Sequence, residues 1–363
     1  MKNLFLTATR HNEGKTVIAL GLAGALARRG KRVGYIKPIG HGNLEVGENR
    51  IDADATLMKE VCGLHAPLTD LAPVVLEGFP ADWTTKEGRE HVLERIRCGM
   101  QKVGSNREFV IIEGTGNAAT GAAFGVSNAF LAKLLNARVV IVSSGGVGQP
   151  TDEVILNKSY YERAGVEVLG VVINKAYPHE FERLNSFMKP LLESMNLRLL
   201  GALPYEHDLA RPTMRNLLAE FRGRVLNGEA HLGTKLGRFV LGAQSAASTL
   251  EQLQGSVTLL CPVDREDVLL AALTSMLVNA KQGFKLLGVI LAGKGTPHDQ
   301  VLALLRRTQV PTILVELDAY SMASMIHTTS YKLAKDDADR VRLAEELVAK
   351  HVDVGAIVDG IRE

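Results

Sequence analysis

Apolar residues fall along this chain in short runs separated by polar or glycine-rich stretches. Runs rich in Val, Ile and Leu predict strands at Leu4–Thr7, Arg32–Ile36, Phe109–Glu113, Arg138–Ser143, Val168–Asn174 and Leu199–Leu203. Between them, apolar positions at helical spacing predict helices over Val17–Arg28, Ala53–Cys62, Lys86–Val103, Asn128–Leu135, Asp152–Ala164 and Glu180–Met195. Apolar strands that alternate with helices imply a parallel sheet with helices on both faces, an α/β fold.

The pattern changes near Pro204. Tyr205–Arg211 is polar, and Arg222–Gly233 is rich in charge and glycine. A second alternation follows, with strands near Phe239–Leu241, Val257–Pro262, Leu286–Leu291 and Thr312–Glu316. Its helices fall at Glu266–Lys281, His298–Thr308, Tyr320–Leu333 and Ala338–His351, and Met322, Met325 and Ile326 are assigned to its core. This reading gives a first domain over residues 1–210 and a smaller α/β domain over 211–363.

Composition narrows the class. The chain has 363 residues, 46% hydrophobic and 23% charged, as a soluble globular protein would. Its 42 basic and 40 acidic residues form no basic block, which argues against nucleic acid as a partner. Cys62, Cys98 and Cys261 are scattered, without disulfide or metal-ligand spacing, as expected in a reducing cytoplasm. No run approaches the roughly 18 apolar residues of a membrane span, and none has the form of a signal peptide.

The chemistry gathers at the ends of the predicted strands, where ligands bind in parallel α/β sheets. The first strand runs into Thr9-Arg10-His11-Asn12-Glu13-Gly14-Lys15-Thr16 and then a helix. Such a loop surrounds phosphate with backbone N–H groups, and the helix dipole favours the negative charge. Thr9, Asn12, Glu13 and Gly14 are the candidate cradle. Lys15 would reach the outer phosphates and Thr16 would hold Mg²⁺. The pattern departs from the usual one in placing Thr9 where a glycine stands, with four residues between it and the Gly-Lys pair.

Lys37 follows the second strand and is either a charge-stabilising group in the crevice or a surface lysine before Pro38. Asp52 suits a helix cap and Asp54 a metal ligand. Glu113 ends a strand before Gly114-Thr115-Gly116, a place for a Mg²⁺ or water-ordering carboxylate. Asn174 ends another strand. It is either a reader of a purine edge or a turn residue; Tyr177 stands where a guanine reader would have Asp, so adenine is the expected base.

Together these residues resemble dethiobiotin synthetase over roughly residues 1–205. The loop Ala8-Thr9-Arg10-His11-Asn12-Glu13-Gly14-Lys15-Thr16 matches that family's phosphate loop, with Ala8 for its first glycine. Tyr35-Ile36-Lys37-Pro38 matches its Tyr-Lys-Pro segment with one insertion, and Ile112-Glu113-Gly114 its acidic strand end. The resemblance implies ATP and Mg²⁺ as cofactors, Lys15 and Lys37 as catalytic groups, Thr16, Asp54 and Glu113 at the metal, and Asn174 beside adenine. The remainder is similar to the domain named for an Asp-Arg-Thr-Gly-Gly motif, here Asp264-Arg265-Glu266-Asp267. That domain order resembles the N-terminal part of long phosphate acetyltransferases, without the acetyltransferase domain.

Two functions are expected. One is an ATP-dependent ligase that activates a carboxylate or carbamate by phosphoryl transfer. A glutamine-fed amidation like that of cobyrinic acid a,c-diamide synthase is disfavoured, because Cys261 lacks a nucleophile-elbow pattern. The other is a non-catalytic ATP-sensing module. The expected partners are a small-molecule substrate or effector and a second copy of the chain, a dimer being the commonest assembly.

Overall fold

The computed structural model describes residues 2–41, 44–46, 49–76, 80–145, 148–278, 283–329, 331–333 and 337–361, with the side chains of 44–46, 49–50, 185 and 328 left aside. The chain forms two compact units, residues 1–209 with 333–363, and residues 210–332.

The first unit is built on six strands: β1 (Lys2–Ala8), β2 (Val33–Ile36), β3 (Phe109–Glu113), β4 (Arg138–Ser144), β5 (Val168–Ala176) and β6 (Arg198–Pro204). They lie in the order β6-β5-β4-β1-β3-β2, and every pairing is parallel. Leu4, Phe5 and Leu6 are all buried, as are Val110, Ile111 and Ile112, so both faces of the central strands are covered. The chain leaves β1 toward β2 on one side and leaves β4 toward β5 on the other. The crevice between β1 and β4 is therefore the topological switch point, where a ligand is expected.

Helix α1 (Lys15–Arg28) follows β1 directly, and α2 (Ala53–Val61), α3 (Lys86–Gly104), α4 (Asn128–Leu134) and α5 (Gln149–Arg163) follow in turn. The helix expected over Glu180–Met195 is interrupted. A 3₁₀ turn at Pro178–Glu180 leads into α-helix Phe181–Arg183, a π-helical stretch Leu184–Met188 and α-helix Lys189–Ser194. Pro190 explains the change, because it has no N–H for the regular ladder.

The second sheet has the order β7-β11-β10-β9-β8, with β7 (Arg224–Asn227), β8 (Arg238–Leu241), β9 (Gly255–Pro262), β10 (Phe284–Ala292) and β11 (Thr312–Val315). Only β7 runs antiparallel, on the edge beside β11. Alternation along the strands splits the core between the two faces. Leu259, Val289, Leu291 and Leu314 enter one cluster, and Leu260, Ile290, Ile313 and Val315 the other. Helix α6 (Glu266–Leu277) ends before residues 279–282, where the expected helix end lies outside the described residues. Helices α7 (Asp299–Arg306) and α8 (Ala319–Thr328) follow, and shorter helices at Met214–Glu220 and Ala246–Gln252 belong to the same unit. On α8, Met322 and Ile326 are buried as assigned, but Met325 is 41% exposed. It sits three residues from Met322 at the edge of the apolar stripe.

The hydrophobic pattern assigns 211–363 to one domain; the structure differs at its end. Helices α9 (Ala338–His351) and α10 (Val354–Gly360) belong to the first unit. Two glycines of α1 admit α9. A Cβ on Gly21 would lie 2.3 Å from Val348, and one on Gly24 2.8 Å from Glu345. Arg28 closes the contact on Glu345 at 3.2 Å. Beyond α9, the Asp353 amide donates to the Leu200 carbonyl at 2.7 Å, extending the edge of β6. The segment 210–332 is thus an insertion between the last strand of the first fold and its closing helices.

Candidate functional site

The loop after β1 is held from three sides. The Thr9 amide donates to the Val142 carbonyl at 3.0 Å, and its hydroxyl meets that of Ser143 at 3.3 Å, so β4 fixes the loop entrance across the switch point. Asn174 Nδ2 donates to the Glu13 carbonyl at 2.8 Å and Lys175 Nζ to the Asn12 carbonyl at 2.7 Å. Arg10 pairs with Glu153 of α5. Asn12 and Gly14 both take positive φ, 63° and 92°. Gly14 also has no room for a side chain, since a Cβ there would lie 2.2 Å from Asn174 Nδ2.

With two loop carbonyls engaged by β5, the loop bends into the start of α1. No side chain caps that helix, and its first turn carries no acidic residue. Its leading N–H groups have no partner within the helix, and the dipole places positive potential there. Lys15, at the first helical position, adds a buried ammonium, which burial and the neighbouring Lys37 charge pull below the usual lysine range against the carboxylates of Glu113, Asp54 and Glu13. This end of the fold is complementary to a polyanion.

The opposite wall is acidic. Glu113 ends β3, 1% exposed, and accepts from the Thr16 hydroxyl at 2.9 Å and from the Tyr35 phenol at 2.9 Å. Burial pushes its carboxyl above the ordinary range. Asp54 adds to the rise, while Lys37, Lys15 and the Thr16 bond oppose it. Lys37 is a buried crevice residue, 3% exposed. It pairs with Asp54 and, at 3.0 Å, with Asp52. Burial alone would lower its pKa, but the carboxylates of Asp54, Glu113 and Asp52 outweigh that and hold the ammonium above its usual range.

Asp52 caps α2, accepting from the amides of Asp54 and Ala55 at 2.9 Å each. Its second oxygen takes the His41 amide at 2.9 Å. The cap therefore orients the carboxylate that meets Lys37.

The structure thus gathers Lys15, Lys37, Asp54 and Glu113, all buried, with the half-buried Thr16. Thr9, Asn12, Glu13 and Gly14 form the adjoining loop. Asn174 supports that loop from beneath. Tyr35 was not among the expected site residues, although it lies two positions before Lys37 and so shares its side of the strand. Ser143 and Lys175 also escaped, because only the fold brings them to the loop. Among the described residues, no group of three or more His, Cys, Asp or Glu side chains is disposed to hold a metal by itself. All three cysteines are free thiols, and no helix among the described residues is long and apolar enough to cross a membrane.

The phosphate acetyltransferase of Pseudomonas putida is 27% identical over 369 residues, covering 97% of this chain and 51% of that protein. The Escherichia coli phosphate acetyltransferase is 23% identical over 377 residues, with 96% and 51% covered. This chain spans about half the length of these curated relatives. Among solved structures, the cell division protein MinD of Aquifex aeolicus aligns over 58% of this chain and 84% of its own, with 16% identity and a TM-score of 0.37. The CBS and DRTGG domains of Clostridium perfringens pyrophosphatase, solved with the activator diadenosine tetraphosphate, align over 39% of this chain and 68% of that one, with 16% identity and a TM-score of 0.29. The DRTGG domain model matches residues 216–329. The AAA domain model matches residues 2–213, more than half of the chain, and the protein therefore belongs to that P-loop family, with a DRTGG domain following.

Proposed function

We propose that the first unit binds a magnesium nucleoside triphosphate, with ATP as the expected one. The observation that carries this reading is the cluster itself. The Thr16 hydroxyl reaches Glu113, Lys15 stands beside them at the helix start, and Asp54 and Lys37 complete the wall. The donors fit magnesium, because a hydroxyl and carboxylates are hard oxygen ligands and phosphate oxygens and water supply the rest. Thr16, Asp54 and Glu113 would hold the ion, and its chemistry there is to neutralise charge on the outer phosphates. Lys15 and the loop amides would hold the phosphates themselves.

Of the two uses of bound nucleotide, sensing is the better supported. Lys37, which a ligase would direct at the transferred phosphoryl group, is neutralised by Asp52 and Asp54. The curated relatives named above are phosphate acetyltransferases, and this chain spans about half of their length. The role proposed is a nucleotide-responsive regulatory module, working in the cytoplasm as a homodimer. Calorimetric titration of ATP with Mg²⁺ tests the binding, and Lys15→Ala is expected to weaken it by at least about 30-fold, as loss of a buried charge contact does. Unchanged affinity in that variant rejects the reading. Phosphate release that requires an amine and bicarbonate would instead establish the ligase.

A further inference from the structure

The clamp on the phosphate loop leaves out one side chain, His11. To one side of it Arg10 pairs with Glu153, and to the other the Asn12 carbonyl accepts from Lys175 at 2.7 Å. Glu13 faces Lys175 and Ser144. His11 is exposed, and its ring nitrogens have no hydrogen-bond partner among the described residues. The loop motif leaves this position open, so a histidine here is a property of this chain and not of the pattern.

The ring is nonetheless placed. A Cβ added to Gly116 would lie 3.0 Å from His11 Nε2 and 2.5 Å from the Thr120 hydroxyl, so the imidazole stands against the loop that follows Glu113. The Gly116 carbonyl accepts from the Ala8 amide at 3.2 Å, which joins that loop to the entrance of the phosphate loop. Lys15, at the start of α1, is the charged group that acts on the ring, while Gly116 and Thr120 carry no charge. Partial burial and, after it, the Lys15 ammonium hold the imidazole below its usual range. At neutral pH the ring of the ligand-free protein is therefore mostly uncharged.

A polyanion reverses that balance. Lys15 reaches the outer phosphates of a nucleotide, and Gly116 lies just past Glu113, assigned above to the metal beside them. His11 stands between the two. Phosphate charge there cancels the repulsion from Lys15 and favours the protonated ring, because a nearby opposite charge stabilises the charged form.

We infer that His11 is a proton-binding contact for the outermost phosphate. The triphosphate and a solvent proton bind together, the imidazolium donates an N–H to a phosphate oxygen, and no bond of the nucleotide changes. Binding tightens as pH falls through the neutral range, and does so more for a triphosphate than for a diphosphate. The inference rests on the nucleotide reading above.

The test is calorimetry on the full chain with ATP and ADP in excess Mg²⁺, at several pH values and in buffers of different ionisation heat, which counts the protons. ATP affinity is expected to rise at least about threefold from about pH 8 to about pH 6, with net proton uptake near neutrality; one proton bounds the slope at about tenfold per pH unit. His11→Gln keeps a hydrogen-bonding side chain that cannot take the proton, and should flatten the profile and remove the uptake. The His11 ring resonance in proton NMR, assigned by its loss in that variant, should titrate with a midpoint that ATP and Mg²⁺ move upward. An unmoved or lowered midpoint, or the same uptake in His11→Gln as in the native chain, overturns the inference, and a binding defect in Lys15→Ala then leaves the loop assignment standing. Equal uptake with ADP overturns the assignment to the outermost phosphate. If Lys15→Ala binds ATP normally, the nucleotide reading itself fails.

Discussion

The two units of this protein are both parallel-sheet α/β folds, yet they treat charge in opposite ways. Among the described residues, every buried charged side chain lies in the first unit: Glu13, Lys15, Lys37, Asp52, Asp54, Glu113 and Arg340. The buried polar side chains of the second are threonines. Its motif charges, Arg265 and Asp267, pair at 2.8 Å on the surface, with Arg265 also donating to the Ala243 and Gln244 carbonyls. Buried charges are costly unless paired. The first fold keeps six of them around one end of its sheet, in keeping with the ligand site proposed for it. The same sheet architecture without them is a scaffold whose ligand, if any, must be held by other means.

Breaking the charge network should have the largest effect. Lys37→Met leaves Asp52 and Asp54 without their buried cation, and the expected loss is about 3–5 kcal/mol of unfolding free energy. Urea midpoints would register it. The exposed pair offers the contrast, since Arg265→Ala should move the midpoint far less. Equal shifts would erase the distinction between the units.

Next in size is the insertion itself. Gly21→Val places a side chain where Val348 already packs, and overpacking should cost about 1–3 kcal/mol. Limited proteolysis should then release α9 and α10 earlier, while residues 210–332 keep their own protection. Loss of protection in the second unit instead would contradict the assignment of α9 to the first.

A smaller effect follows from Glu113. Its folded pKa is raised above the ordinary 4.5, by burial and then by Asp54 against the opposing lysines. A raised folded pKa contributes stability that is complete below the ordinary value and is lost as pH rises through the folded one. The ligand-free protein should therefore lose stability over that window as pH rises, and Glu113→Gln should flatten the profile. Urea midpoints at several pH values without metal check this. An unchanged slope in the variant would assign the dependence to another group.

How much of this was legible beforehand depends on the range of the contacts involved. The six strands of the first sheet and the loop at Gly14-Lys15-Thr16 stand in the sequence because their signals are local: apolar runs, a turn and a helix start. Lys37, Asp54 and Glu113 could be placed at strand ends for the same reason. Strand β7 was missed because Arg224–Asn227 is a short edge strand in a polar stretch. The return of α9 to the first unit rests on Gly21 and Gly24 meeting Val348 and Glu345, more than 300 residues away along the chain. No periodicity reveals such a pairing. The clamp that Asn174 makes on the loop was hidden for a related reason, since its partner is a backbone carbonyl across the fold.

The central claim is that the nucleotide site belongs to the first unit. Hydrogen exchange read by mass spectrometry, with and without ATP and Mg²⁺, tests it most directly. The expected result is slowed exchange in peptides covering residues 9–16 and 113–116, with those from 210–332 unchanged. Slowing confined to residues 210–332, or none in the loop at saturating ATP, would contradict it.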